Sequence, residues 1–172
     1  MCATIGLLDQ PHQPMTASLE EICNFLQVRN PAHQGNCIAT AGQPTEKQFS
    51  LIKESGYQVV INLAPSTSTN AIANEAAIVE SLGMHYIHIP IVWDSPALED
   101  VERFFDAMNA NANRFVFIHC AKNMRVSAFV YLYQRICKRV SNRDAKADLQ
   151  KIWIPDEIWQ TFIQSVLAHY HC

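Results

Sequence analysis

The run HCAKNMRVS at residues 119–127 places a cysteine, an arginine and a serine within one short segment. The apolar segment RFVFIH at residues 114–119 leads into it, and a long stretch with helical periodicity follows, which predicts a buried strand, a tight loop and a helix. Ligands of open α/β sheets bind at the carboxyl ends of strands, and a helix N-terminus there favours an anion. We therefore expect an anion site around Cys120.

The residue types in this run indicate what the site would do to an anion. The positive end of a helix favours the thiolate form of a cysteine, and the thiolate is the nucleophile. Arg125 carries a planar fork of donors that matches phosphate oxygens. Ser127 has a hydroxyl that can donate to a departing thiolate. Together these residues predict an anion site with a reactive thiol at Cys120.

Composition limits the other classes of function. The 172 residues fit one domain, and a hydrophobic share of 49% with a net charge of -3 describes a globular protein that is not a general nucleic-acid binder. Six scattered cysteines form neither a zinc framework nor a disulfide scaffold, so we expect no metal and no cofactor. No segment has the character of a signal peptide or a membrane span, which predicts a soluble, cytoplasmic protein.

The elements expected to position the site alternate between strands and helices. Such alternation predicts a single α/β domain with a central, mostly parallel sheet flanked by helices. Residues 1–16 are expected to be a loose arm, and residues 17–172 the folded domain. The predicted strands are at residues 37–40, 57–63, 84–89 and 114–119, and the predicted helices start at Ser18, Thr45, Ala71, Ser95, Met124, Arg143 and Pro155.

Several segments of this chain resemble the dual-specificity branch of the cysteine-dependent tyrosine phosphatases. More narrowly, they are similar to a bacterial family of small, single-domain phosphatase-like proteins. Besides HCAKNMRVS, the resemblance rests on AGQP at residues 41–44, VINL at residues 60–63 and HIPI at residues 88–91, and it extends over residues 38–162. It implies a (phosphotyrosine protein phosphatase)-like fold.

The resemblance also implies an activity, which is hydrolysis of a phosphomonoester through a phosphocysteine on Cys120. The substrate would be a phosphorylated protein or small molecule. His119 would support the thiolate, Asp94 would protonate the leaving oxygen and then activate water, and Ser127 would assist breakdown of the intermediate. The phosphoryl oxygens would be bound by the loop, which consists of Ala121, Lys122, Asn123, Met124, Arg125 and Val126.

The position of the arginine departs from the family signature. The signature has its arginine six residues after the cysteine, whereas Arg125 follows Cys120 by five and Val126 takes the arginine position. One residue at a helix start turns a side chain by about 100°. Either the loop is tightened so that Arg125 still points inward, or phosphate binding is weakened and the protein is a pseudophosphatase that binds phosphate or a partner. Asn123 takes a position where glycine is common, which is a mild change because asparagine tolerates left-handed backbone.

The spacing admits a third function. Rhodanese-type sulfurtransferases use a cysteine loop one residue shorter than that of the phosphatases, and the C-x4-R spacing of Cys120 and Arg125 has that length. The chain lacks that family's Asp-x-Arg strand end and its Gly-His-Ile segment, which disfavours sulfur transfer.

Each candidate residue also has a structural interpretation. Cys120 and His119 could be core residues, Lys122 and Arg125 solvated ones, and Asp94 a helix cap. Cys23 and Arg29 match C-x5-R by chance, because no strand precedes them. The apolar residues near the C-terminus predict a helix packed on the core or a homodimer face, and they are Ile152, Trp153, Ile158, Trp159, Phe162 and Ile163.

Overall fold

The computed structural model describes residues 18–29 and 37–172. They form one α/β domain with a five-stranded sheet. The predicted arm at residues 1–16 lies outside the described residues. No helix in the described part of the chain is long and apolar enough to cross a membrane.

The sheet has one antiparallel edge and is otherwise parallel. Its strands are β1 (Leu26–Arg29), β2 (Cys37–Ala41), β3 (Val59–Asn62), β4 (His85–His88) and β5 (Val116–His119), in the spatial order β1-β2-β5-β3-β4. Only β1 runs antiparallel to its neighbour. The strand before Cys120 is therefore the central one, with β2 and β3 on its two sides.

Helices cover both faces of this sheet, which explains why β3 and β5 are apolar at every position but their last. Val116 and Ile118 of β5 face one apolar cluster, whereas Phe117 between them faces the other. A short 3-10 helix at Leu19–Glu21 packs on the second cluster. The α-helices are α1 (Glu46–Glu54), α2 (Glu75–Ser81), α3 (Leu98–Ala110), α4 (Met124–Ile136), α5 (Asn142–Ile152) and α6 (Glu157–His169).

Local sequence signals identify most elements, but two α-helices begin later than predicted. The helix expected from Ala71 begins at Glu75. Thr45 and Gln48 form the predicted capping box at the start of α1. Ser18 caps a helix as expected, and its hydroxyl accepts a hydrogen bond from the Glu20 N–H. This helix was wrong in type and extent, because it is a 3-10 helix that ends at Glu21, after which the chain pairs with β2 as β1. The helix expected from Ser95 begins at Leu98 instead, where the Asp100 carboxylate accepts a hydrogen bond of 3.2 Å from the Ala97 N–H.

The apolar C-terminal residues are divided between core and surface. Trp159, Phe162 and Ile163 are buried in the main core cluster, as the packing interpretation expects. Ile158 is 43% exposed, and Ile154 in the preceding connection is 75% exposed. The homodimer stays a prediction.

Candidate active site

The loop after β5 is built where three segments of the chain converge. Cys120, at the carboxyl end of the central strand, is 1% exposed, and its N–H donates to the Ala41 carbonyl at 3.3 Å. Gly42 forms an isolated antiparallel β-bridge with Lys122. A Cβ added at Gly42 would lie 3.1 Å from the Ala121 carbonyl oxygen. A side chain at position 42 would therefore crowd the loop, and glycine lets the chain after β2 approach it this closely.

Asn123 holds the turn from the loop into α4. Its backbone is left-handed, with φ 64° and ψ 0°, as expected for an asparagine in a glycine position. Its buried side chain donates to the Asn24 carbonyl at 2.6 Å and to the Thr40 hydroxyl at 2.9 Å. Asn24 in turn donates to the Lys122 carbonyl at 3.0 Å. These hydrogen bonds hold the backbone of the loop in place without a bound ligand.

Arg125 lies on the same side of the loop as Cys120. Both residues line a cavity of about 310 Å³, together with Trp93 and with Ala121, Lys122 and Met124 of the loop. The guanidinium carbon of Arg125 lies 5.2 Å from the centre of the Trp93 ring, a cation–π contact. Its buried Nε has no hydrogen-bond partner among the described residues. The charged side chains that line this cavity are both cationic, which favours an anion.

The two residues after Arg125 point away from the cavity. Val126 is fully buried in the main apolar cluster. The Ser127 hydroxyl donates to the Met124 carbonyl at 2.9 Å and accepts a hydrogen bond of 3.1 Å from the Trp153 indole N–H. In this arrangement the Ser127 hydroxyl fastens the first turn of α4 to the end of α5.

His119 belongs to a buried polar cluster behind the loop. Its Nε2 lies 3.1 Å from a Glu75 carboxylate oxygen, and both side chains are almost completely buried. Glu75 also accepts hydrogen bonds of 2.8 Å from the Asn62 amide and from the Tyr86 hydroxyl. The charge of Glu75 is thus compensated inside the fold, as a buried carboxylate requires.

The ionisation of this cluster follows from its contacts. Burial by itself would raise the pKa of Glu75, but the hydrogen bond and charge of His119, with the Tyr86 and Gln43 donors, hold that pKa below its ordinary value. For Tyr86, burial and then the negative charge of Glu75 raise the pKa of the phenol. The stable forms are therefore a Glu75 carboxylate and a neutral Tyr86.

Asp94 lies in a turn beside the cavity. The Ser95 N–H closes this turn on the Val92 carbonyl at 3.3 Å, and the Asp94 side chain is exposed. The preceding residue, Trp93, forms a wall of the Cys120 cavity and packs against Trp153 and Trp159 at ring distances of 5.3 and 5.1 Å. Asp94 is absent from the residues that line the cavity.

The structure thus brings together one part of the predicted site and separates another. Cys120, Ala121, Lys122, Met124 and Arg125 share one cavity, whereas His119, Asn123, Val126, Ser127 and Asp94 do not line it. Sequence reasoning missed Glu75 and its partners. Glutamate in the first turn of a helix is ordinarily a solvated residue that complements the helix dipole, so nothing marked Glu75 as buried.

Comparison with known structures identifies the class of fold. The kinase associated phosphatase, with its catalytic-site cysteine replaced by serine, matches with a TM-score of 0.75 at 12% identity over 88% of this chain and 97% of that chain. PTPMT1 in complex with PI(5)P matches with a TM-score of 0.66 at 12% identity over 78% and 92% of the two chains. The domain therefore has the fold of the tyrosine and dual-specificity phosphatases. No curated protein matches the chain.

More similar proteins identify the family. A DUF442 protein of Shewanella putrefaciens CN-32 is 35% identical, with a TM-score of 0.76 over 88% of this chain and 96% of that chain. The family model PTP-NADK, described as DSP-PTPase phosphatase fused to NAD+ kinase, matches residues 17–159. The chain belongs to this family of dual-specificity phosphatase-like domains, as the sequence resemblance had predicted.

Proposed function

We propose that the protein hydrolyses phosphomonoesters through a covalent phosphocysteine on Cys120. The observation that carries this proposal is the cavity of about 310 Å³ that Cys120 and Arg125 line together at the start of α4. Its lining charges are cationic, and it lies where helix N–H groups favour an anion. Membership of a phosphatase-like family supports the same chemistry.

The proposed reaction has two steps. The Cys120 thiolate attacks phosphorus, the bond from phosphorus to the ester oxygen breaks, and Asp94 gives its proton to the leaving oxygen. Water then attacks the phosphocysteine, Asp94 takes a proton from it, and the sulfur–phosphorus bond breaks to release phosphate and restore the thiolate. Arg125 and the loop N–H groups bind the phosphoryl oxygens, where charge develops in both transition states.

Turnover of an aryl phosphate such as 4-nitrophenyl phosphate tests this function. We expect release of nitrophenol by the wild type and a loss of at least a thousandfold in kcat for Cys120→Ser, since the nucleophile is removed. Cys23→Ser is the matched control, because Cys23 is an exposed thiol outside the cavity, and it should retain full activity. Hydrolysis that survives in Cys120→Ser would contradict the proposal.

A second candidate is a pseudophosphatase that binds phosphate without turnover. Two observations favour it, namely that Val126 at the signature arginine position is fully buried and that Asp94 lies outside the cavity lining. Raised thermal stability in phosphate, with no hydrolysis of any aryl phosphate, would select this function. Transfer of sulfur from thiosulfate to cyanide, lost in Cys120→Ser, would select the rhodanese-like function that the C-x4-R spacing admits.

A further inference from the structure

A second cavity adjoins the one that contains Cys120. It measures about 410 Å³ and shares the residues Trp93, Ala121 and Arg125 with the first, and we call it the outer cavity. The loop after β3, which includes Pro65 and residues 67–69, forms its other side with Val92. Its volume lies in the range of roughly 300–1,000 Å³ that is usual for small-molecule sites. A ligand whose phosphate binds over Cys120 would therefore extend into the outer cavity.

The wall of the outer cavity is rich in hydroxyl groups. Thr67, Ser68 and Thr69 are three consecutive hydroxyl residues, and all three line it. Among the described residues that line this cavity, Arg125 is the one with a charged side chain. A hydroxyl both donates and accepts hydrogen bonds, so this wall can match a ligand group that does the same.

The loop that carries these hydroxyl residues is hydrogen-bonded to the loop after β5. The Asn70 side chain donates to the Ala121 carbonyl at 3.0 Å. Two successive turns hold the backbone, with the Ser68 N–H on the Pro65 carbonyl and the Ala71 N–H on the Ser68 carbonyl, both at 3.0 Å. The backbone that carries the three hydroxyls is thus held in place before binding, which reduces the entropy lost when a ligand binds.

Arg125 connects the two cavities. Its side chain lines both, its guanidinium lies over Trp93, and its buried Nε lacks a hydrogen-bond partner among the described residues. A buried donor without a partner costs free energy that a bound oxygen would recover. One phosphate over Cys120 would engage this single guanidinium. The residues that line the outer cavity therefore offer no second cationic side chain to a second phosphate.

We propose that the outer cavity binds the leaving group of the substrate, and that this group is a small polyhydroxylated ring, as in a sugar or cyclitol phosphate. The inference rests on the proposed function, because it assumes that a phosphate binds over Cys120. Thr67 and Thr69 are exposed, and a leaving group without hydroxyls would displace water from them without offering a hydrogen bond in return, which disfavours it. Ring hydroxyls would instead replace the water bonded to Thr67, Ser68 and Thr69.

Two phosphate esters with the same ring size test this inference. Myo-inositol 1-phosphate and cyclohexyl phosphate differ in their ring hydroxyls, and their affinities are measured by calorimetry on Cys120→Ser, which keeps the ligand intact. We expect myo-inositol 1-phosphate to bind about tenfold more tightly, from two or three net hydrogen bonds. Equal affinities, or tighter binding of a phosphotyrosine peptide than of both esters, would overturn the inference.

A variant localises the effect to the outer cavity. In Thr67→Val/Ser68→Ala/Thr69→Val, built on the same Cys120→Ser background, the ratio of the two affinities should fall from about ten to about one. Thr161→Val is the matched control, because Thr161 is an exposed residue of α6, and it should keep the ratio. A ratio that survives in the triple variant would contradict the assignment of these hydroxyls.

Inorganic phosphate separates failure of this inference from failure of the proposed function. If phosphate and both esters bind but the ring hydroxyls make no difference, the proposed hydrolase stands and the polyol substrate is wrong. If inorganic phosphate and both esters all fail to bind, the anion site over Cys120 is wrong, and the polyol substrate is wrong with it.

Discussion

Arg125 and Val126, neighbours at the start of α4, lie in opposite environments. Arg125 lines the cavity with Cys120, and Val126 is fully buried in apolar core. The sequence predicted that the shifted arginine either turns inward or is lost to the site, and it could not decide between them. The outcome depends on how the Asn123 turn rotates the first residues of α4, and that turn is held by bonds to Asn24 and Thr40, which are distant in sequence.

The planar guanidinium of Arg125 should contribute more to the affinity for an anion than its positive charge alone. Arg125→Lys keeps a cation but loses the bidentate geometry and the contact of the planar group with Trp93. We expect the affinity for inorganic phosphate to fall about tenfold in Arg125→Lys, measured by calorimetry. Arg143→Lys is the control, since that side chain is 89% exposed on α5, and it should bind phosphate as the wild type does. Unchanged affinity in Arg125→Lys would show that the guanidinium does not reach the anion.

In this chain position 126 should not tolerate the arginine of the family signature, because Val126 is fully buried in apolar core. Val126→Arg would place an unpaired charge in an apolar cluster, and we expect it to lower the free energy of unfolding by about 3 kcal/mol or more. Val126→Ala, which leaves a cavity without a charge, should cost about 2 kcal/mol. Urea unfolding of both variants measures the difference. An arginine variant as stable as the wild type would mean that position 126 can turn towards the cavity.

At the scale of elements, periodicity and turn chemistry predicted four of the five strands that the structure describes and most of the helices. The strand β5 and the capping box of α1 are set by local sequence, and the structure confirms both. The β1 strand was missed because its apolar residues fit a helix equally well, and pairing with β2 decides between the two. The buried position of Glu75 was missed for a similar reason, because its partners come from β3, β4 and β5.

The loop that leads into α4 depends on Asn123 in two separable ways. Asn123→Gly keeps the left-handed backbone but removes the bonds to Asn24 and Thr40, and should lower the free energy of unfolding by about 1–2 kcal/mol. Asn123→Ala also adds backbone strain at φ 64°, and should be less stable than the glycine variant by about 1 kcal/mol. Urea unfolding tests the order. An alanine variant more stable than the glycine variant would contradict it.

For the whole molecule, the buried Glu75 links stability to pH. Its pKa is lowered in the folded state, so its carboxylate stabilises the fold above about pH 4.5, its ordinary value, and this contribution is lost as the pH falls through the lower folded pKa. We expect wild type to exceed Glu75→Gln in free energy of unfolding at pH 7, and this difference to shrink towards pH 3. The measurement is urea unfolding at each pH. A difference that is constant across that range would show that the charge of Glu75 is not involved.

The position of Cys120 in the sheet also makes its thiol a reporter of unfolding kinetics. Its strand lies between β2 and β3, and its loop is hydrogen-bonded to Asn24, Thr40 and Asn70 from three other parts of the chain, so the thiol is covered only when all of them are assembled. Assembly of contacts so distant in sequence is slow, and their loss is cooperative. A thiol reagent too large for the cavity would therefore label Cys120 at the rate at which the central sheet opens, and would time that opening in a protein that carries no added probe.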